Sequence, residues 1–326
     1  MYYESYKKKK PRPRRRRGGC LSALGRGIAK LLAWVLVLAI LGAVGLYFLP
    51  ASLFMVEPEY ELSLTDGLPS SPFNLLILGV DALSQGGQRS DTIMVASIDR
   101  EALRLTSIQR DTVAHIEGHG DQKINAAFAY GGAELAMRTV NETFDLNVMK
   151  YVVVDFTVLV KLVDALGGIE MDITEAEMEQ INQNVIYSAG VFYPMGYVAE
   201  PLTQWGESTH LNGLQALGYA RIRKLDSDFV RTSRQRAVID AMLKKLRENW
   251  WNPVVLTRFV QEGLSGIQTN LSVLELISLG EKALLSGEIL QLRLPVDGSF
   301  ADDGSKLTIT DRDQNIQAFR SFVYGE

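Results

Sequence analysis

The sequence predicts an α/β fold, a mixed central sheet sandwiched by helices and preceded by one transmembrane helix. Three observations carry that expectation. From Phe73 to the end of the chain, short apolar runs alternate with amphipathic stretches, the pattern of strands and the helices that cover them. The run FNLLILGV (73–80) is apolar throughout, as a strand buried on both faces requires. Finally, LLAWVLVLAILGAVGLYFL, Leu31 to Leu49, holds no charge across nineteen residues. As a helix it measures about 28 Å, against a hydrocarbon core of about 30 Å.

The elements follow in order. Residues 1–30 are a basic tail, with eleven Lys and Arg against the single acid Glu4. The transmembrane helix takes 31–50. The run is too long for the apolar part of a cleaved signal peptide, and LYFLPASLF is a poor cleavage site. The positive flank orients it, tail in the cytoplasm and body outside. Residues 51–72 read as a stalk ending in turn signals at Asp66-Gly67 and Ser70-Ser71-Pro72. An extracytoplasmic domain occupies 73–326.

Within that domain, TIMVASI (92–98) and LRLTSIQ (103–109) read as strands joined by a hairpin. A helix broken at Gly131-Gly132 covers 133–144 after the break, and KYVVVDF (150–156) is a strand. The next helix spans 157–166, capped by Asp155 or Thr157 and closed by Gly167-Gly168. IEMDI is a strand, residues 175–210 read as irregular, LNGLQALGYA as a helix, and 231–249 as a long helix. Helices near 253–263 and 272–286, the strand ILQLRLPV and a strand–helix segment at 306–323 complete the chain.

The charge is divided. The chain is 326 residues long, 47% hydrophobic, with net charge −4. Residues 31–326 hold 23 basic and 37 acidic residues, a net −14, which excludes nucleic acid as a partner of the outer body. Cys20 is the one cysteine, so the body folds without an internal disulfide. HIEGHG offers two histidines but no local third ligand, and reads as a flexible loop.

Two charged constellations remain. If the first three strands run up, down and up, Asp81, Asp91 and Arg110 share one rim of the sheet, with Arg89 and Asp111 nearby. Strand ends are where α/β sheets bind ligands. Two carboxylates there suit Mg²⁺, which takes one or two carboxylates plus phosphate oxygens; Mn²⁺ is also compatible. The second constellation is RIRKLDSDFVRTSRQR. Arg221 and Arg223 project together if the segment is extended. Arg231, Arg234 and Gln235 form one stripe near a helix start, with Arg236 taken as pointing outward. Cations at a helix N-terminus call for an anion, and guanidinium groups grip phosphate in bidentate fashion. Acids plus arginines describe a pyrophosphate site.

NLLILGVDALSQGGQRSDTIMVASID, LTSIQRDT, KINAAFAYGG, VDFTVLVKLVDALGGIEMDI, LNGLQALGYARIR and DSDFVRTSRQRAVI resemble successive blocks of the LytR-CpsA-Psr family, from about 73 to 245. The resemblance implies that family's fold and a membrane-anchored phosphotransferase. Such an enzyme takes a glycopolymer (teichoic acid, capsule or a related polysaccharide) from an undecaprenyl-pyrophosphate carrier and joins it to peptidoglycan through a phosphodiester. It implies Mg²⁺ ligands at Asp81 and Asp91 and pyrophosphate contacts at Arg110, Arg221, Arg223 and Arg231, with Gln235 beside them; Arg89 and Arg234 also match. Gln109 departs from the pattern, where proline is commoner, and the insert 182–210 is unfamiliar. The lipid needs apolar walls, for which the faces of helices 133–144, 157–166 and 235–246 are candidates. A pyrophosphatase acting on the same carrier, and a non-catalytic polyprenyl-phosphate-binding regulator, are the alternatives.

Overall fold

The chain divides into two compact units, Met1–Val44 and Gly45–Glu326. The computed structural model describes residues 61–81, 88–192, 196–222 and 228–325, all in the second unit. The basic tail, the apolar run Leu31–Leu49 and Arg223 lie outside the described residues. Among the described residues no helix is long and apolar enough to cross a membrane.

In chain order the elements are β1 (Phe73–Val80), β2 (Thr92–Ile98), β3 (Ala102–Ile108), the hairpin β4 (Val113–Ile116) and β5 (Gly120–Lys123), and α1 (Ala126–Phe144). There follow β6 (Lys150–Asp155), α2 (Phe156–Ala165), β7 (Ile169–Ile173), α3 (Glu175–Phe192), β8 (Gly206–Leu211), α4 (Gly213–Ala220), α5 (Asp228–Asn249) and α6 (Pro253–Gly266). The last are β9 (Gln268–Thr269), α7 (Val273–Leu285), β10 (Glu288–Leu294), β11 (Phe300–Asp302), β12 (Leu307–Ile309) and α8 (Arg312–Tyr324).

Six strands form one sheet in the order β10-β3-β2-β1-β6-β9. β2 runs antiparallel to both β1 and β3, β6 lies parallel to β1, and β10 lies parallel to β3. Strand alternation divides the apolar side chains between the two faces. Leu76, Leu78, Val80, Ile93, Val95 and Ile108 join α1 and α8 in one core, through Leu135, Val140, Phe144, Phe319 and Val323. Leu75, Met94, Ala96, Leu103 and Leu105 join Leu271, Leu279, Ile239 and Leu243, mostly from α5 and α7, in another. The sheet is therefore covered on both sides. A third core lies beside it, where α2, α3, α4 and α5 pack with the β7–β8 ribbon around Val163, Ile181, Leu211 and Val238.

Several local signals act as read. Gly131 and Gly132 break α1, Gly132 at φ 64°. Asp155 caps α2, its Oδ1 accepting from the Val158 amide at 2.9 Å. Asn212 and Gln215 form a reciprocal capping box on α4. Gly213 permits a close helix contact: a Cβ there would stand 2.3 Å from the Val160 carbonyl oxygen.

Four readings need correction. Residues 175–210 are not irregular: α3 fills 175–192 and β8 fills 206–211. The buried apolar residues described on α3 are Ile181, Val185 and Ala189, roughly one per turn amid polar residues, too narrow an apolar stripe to register as a helix. HIEGHG is not a loop but the β4–β5 hairpin, turned by Gly118 and Gly120 at φ 74° and 70°. His119 stacks on Tyr130 at 4.0 Å, and His115 Nδ1 lies 3.1 Å from Asp121 Oδ1. Arg221 is the C-cap of α4 rather than part of an extended segment. Arg236 does not point outward, and its burial is described below.

Candidate active site

Strand register builds the site. Gly79 pairs with Thr92, and Ile93 with Ile108. Two steps beyond Ile93 and Ile108, Asp91 lies across from Arg110, and Asp81 follows Val80 on the same rim. Val80 in turn pairs with Asp155 at the end of β6. The charge that precedes β2 therefore faces a guanidinium from its neighbour. Arg110 Nη1 donates to Asp91 Oδ1 at 2.7 Å. Its Nε lies 3.4 Å from Asp111 Oδ2, and Asp111 also meets Lys123 Nζ at 2.7 Å. Arg110 is thus clamped between two carboxylates.

The backbone fixes this clamp. The Asn125 amide donates to the Arg110 carbonyl, and the Ser90 amide donates to the Asn125 carbonyl, both at 3.3 Å. One residue at the start of α1 thereby joins the turn before β2 to the turn after β3. Asp91 and Arg110 continue the parity of Ile93 and Ile108, whose side chains belong to the α1 core.

The arginine helix approaches from the other face. Gln109, 1% exposed, donates its amide to Leu294 O at 2.9 Å and its Nε2 to Thr232 Oγ1 at 3.1 Å. This ties the first turns of α5 to the residue before Arg110. Arg231 and Arg234 are buried at 2% and 5% exposure, and Gln235 Oε1 is enclosed with no hydrogen-bond donor among the described residues. Arg234 Nε donates to Glu177 Oε1 at 3.0 Å, and its guanidinium lies 5.9 Å from the Tyr219 ring centre. Its charge is met inside the protein. Arg236 is buried against the sheet, donating to Gln291 Oε1 and Ser107 Oγ, each at 2.7 Å. Those polar side chains sit on the α5 face of β3 and β10, and they draw the arginine inward. Burial, then the nearby Arg293, lowers its pKa from the ordinary guanidinium value.

Arg221 completes the ring of charge. Its guanidinium lies 4.8 Å from the centre of the Phe156 ring and 5.9 Å from that of Tyr187. Phe156 follows Asp155, so Arg221 stands above the same rim. Aromatic stacking holds its planar group while leaving its N–H edges to other acceptors. Arg89 and Asp81 are exposed at the rim. One end of the sheet thus carries Asp81, Arg89, Asp91 and Arg110, with Arg221 over it; Arg231, Arg234 and Gln235 lie buried on the first turns of α5, which Gln109 ties to that end, and Arg223 lies outside the described residues.

Some contributors had no sequence signal. Glu177 falls in the stretch read as irregular, and Asn125 acts through its backbone alone. Lys123 and Phe156 become partners only through the hairpin and the β6–α2 junction. One expectation about apolar walls narrows. The face of helix 133–144 is spent in the α1-side core, with Leu135 and Val140 at 0% and 1% exposure. On α5, Ile239, Met242 and Leu243 are only partly buried.

The LytR_cpsA_psr family model matches residues 56–320. The chain belongs to this family. Regulatory protein MsrR of Staphylococcus aureus is 31% identical over 260 residues, covering 77% of this chain and 74% of that protein. The polyisoprenyl-teichoic acid–peptidoglycan teichoic acid transferase TagU of Halalkalibacterium halodurans is 38% identical over 180 residues, 53% of each chain. The LytR-CPS2A-psr family protein YwtF (TagT), solved with bound octaprenyl pyrophosphate lipid, shares the fold. Its TM-score is 0.56 at 22% identity, over 83% of this chain and 95% of that one.

The residues of the LytR-CpsA-Psr rim can be tested against a divalent cation. Their donors are carboxylate oxygens, which suit Mg²⁺ rather than a softer metal. Asp91 already engages Arg110. Among the described residues no group of three His, Cys, Asp or Glu could hold a metal ion. The carboxylates at the rim that would hold such a cation are those of Asp81 and Asp91.

Proposed function

We propose that this protein is an envelope phosphotransferase. It moves a glycopolymer from an undecaprenyl-pyrophosphate carrier to a peptidoglycan hydroxyl. The Asp91–Arg110 pair at 2.7 Å, opposite Arg221 and the arginine helix, is the observation that carries this reading. A diphosphate is the ligand whose charge and oxygen count answer that set. The names of TagU and of the lipid-bound YwtF (TagT) support the same substrate class.

Phosphoryl transfer asks chiefly for positioning and charge stabilisation. Arg110, held from both sides by Asp91 and Asp111, presents a fixed guanidinium edge to the phosphates. Arg221, braced on Phe156, and Arg231 hold the phosphate that stays with the lipid. Mg²⁺ on Asp81 and Asp91 would neutralise charge on the diphosphate oxygens. Asp81 or Asp91 takes the proton from the attacking sugar hydroxyl. The new oxygen–phosphorus bond forms at the phosphorus bearing the glycopolymer, the bond to the bridging oxygen breaks, and polyprenyl phosphate leaves. Leu31–Leu49 anchors the chain in the cytoplasmic membrane with its N-terminus inside and this domain outside.

The test is to incubate the full chain with a polyprenyl-pyrophosphoryl oligosaccharide and a peptidoglycan fragment, with and without Mg²⁺. A Mg²⁺-dependent oligosaccharide–peptidoglycan phosphodiester is the expected product. Release of oligosaccharide phosphate to water would make the protein a pyrophosphatase. Saturable binding without turnover would make it a regulator, a role that MsrR's name carries.

A further inference from the structure

At the opposite end of the sheet from the charged rim, a set of large apolar side chains is exposed. α5 begins beside Gln109 and ends where Arg247 Nη2 donates to Ala283 O and Ser286 Oγ of the α7 end. The Gly287 amide in turn donates to Glu101 O in the β2–β3 hairpin. α7 starts on the other side of that end, where Lys150 at the foot of β6 meets Glu275 at 3.2 Å. α7 therefore runs across the foot of the sheet.

On α7, Leu274 is 78% and Leu285 68% exposed, with Ile277 at 38%, beside the exposed Ser278, Gly280 and Glu281. Beside it Trp250 and Trp251, at the α5–α6 corner, are 51% and 61% exposed, and Met149, just before β6, is 51% exposed. Scattered apolar exposure is ordinary, but a grouped set with two adjacent tryptophans marks a contact surface. The described chain also enters here. Leu62 O accepts from Asn141 Nδ2 near the end of α1, and the Thr65 amide donates to Leu146 O. The described chain begins at Glu61, twelve residues after the uncharged run Leu31–Leu49, a reach of at most about 40 Å.

We propose that this end of the domain, α7 with the Trp250–Trp251 corner, rests in the outer surface of the membrane. The tryptophan rings and α7 leucines enter the headgroup–acyl boundary, as interfacial aromatic belts do. The charges there are mixed, Lys150 with Glu275 and Lys245 with Glu170. Apolar contact rather than lipid charge therefore drives the docking, and it tolerates salt. The proposal rests on the anchored, extracytoplasmic reading above.

The experiment uses the full chain in phosphatidylcholine vesicles, with and without phosphatidylglycerol, as the W34F/W205F variant that retains Trp250 and Trp251 as its tryptophans. Nitroxide-labelled lipids should quench most of the emission, acrylamide should quench little of it, and the result should be the same in both lipids and in high salt. Quenching by acrylamide but not by nitroxide lipid places the corner in water and overturns the proposal. Quenching by neither places it against protein, such as a second copy, and also overturns it. Release of the chain by an alkaline wash removes the anchor reading itself. A retained chain with water-exposed tryptophans removes only this surface.

Discussion

The two ends of the six-stranded sheet are built on opposite rules. At one, charged side chains are fixed by partners: Arg110 between Asp91 and Asp111, Arg234 on Glu177, Arg221 on Phe156. At the other, large apolar side chains stand on a helix that crosses the strand ends, and water is their neighbour within the described residues. The charged rim shows preorganisation, where guanidinium groups are oriented before any ligand arrives and little is left to reorganise during a reaction. The apolar end shows the reverse, a surface whose burial is deferred. A change at the rim should therefore alter chemistry and binding, whereas a change at the far end should alter only where the domain sits.

Substitutions at four positions break or sharpen that contrast. Asp91→Ala carries the largest expected effect. Transfer should fall about a hundredfold or more, the scale of losing one preorganised electrostatic group, with an unchanged circular dichroism spectrum. Turnover at the wild-type rate would remove Asp91 from the machinery. Arg221→Ala comes next. It should weaken binding of the polyprenyl-pyrophosphoryl oligosaccharide by about 2 kcal/mol, roughly thirtyfold, measured by calorimetry. Arg221→Lys should restore little of this, because an ammonium group stacks on Phe156 less well than a guanidinium.

Gln109→Pro should cost stability. It deletes the N–H that meets Leu294 O and the amide that meets Thr232, a loss of about 1–3 kcal/mol from leaving buried partners unsatisfied. A lower urea midpoint with an unchanged slope is the expected readout. Gln109→Leu keeps the backbone bond and should lose less. Leu285→Ser should change stability by no more than about 0.5 kcal/mol, as exposed substitutions do. A large drop in the urea midpoint would show that the far end is core rather than surface.

Much of the fold was legible because its signals are local and strong. The β1–β3 runs, the Gly131-Gly132 break and the Asp155 cap each depend on a few neighbouring residues. The rim was legible for a related reason: once three strands alternate in direction, the ends of the first and third and the start of the second must lie together. The helix α3 was missed because its buried stripe is a single residue wide. The outward placement of Arg236 failed because helical spacing gives a direction only relative to Arg231 and Arg234. It says nothing of the polar Ser107 and Gln291 that the sheet turns toward it.

The sequence by itself determined the alternation of strand and helix, the charge-free run of membrane length, and the presence of two acids and an arginine on one rim. These follow from period, length and strand direction, properties that a chain carries along itself. Only the tertiary structure decided that Asp91 is held by Arg110, that Glu177 answers Arg234, and that α7 crosses the foot of the sheet with its leucines outward. Those are pairings between residues far apart in sequence, and close packing rather than local pattern selects them.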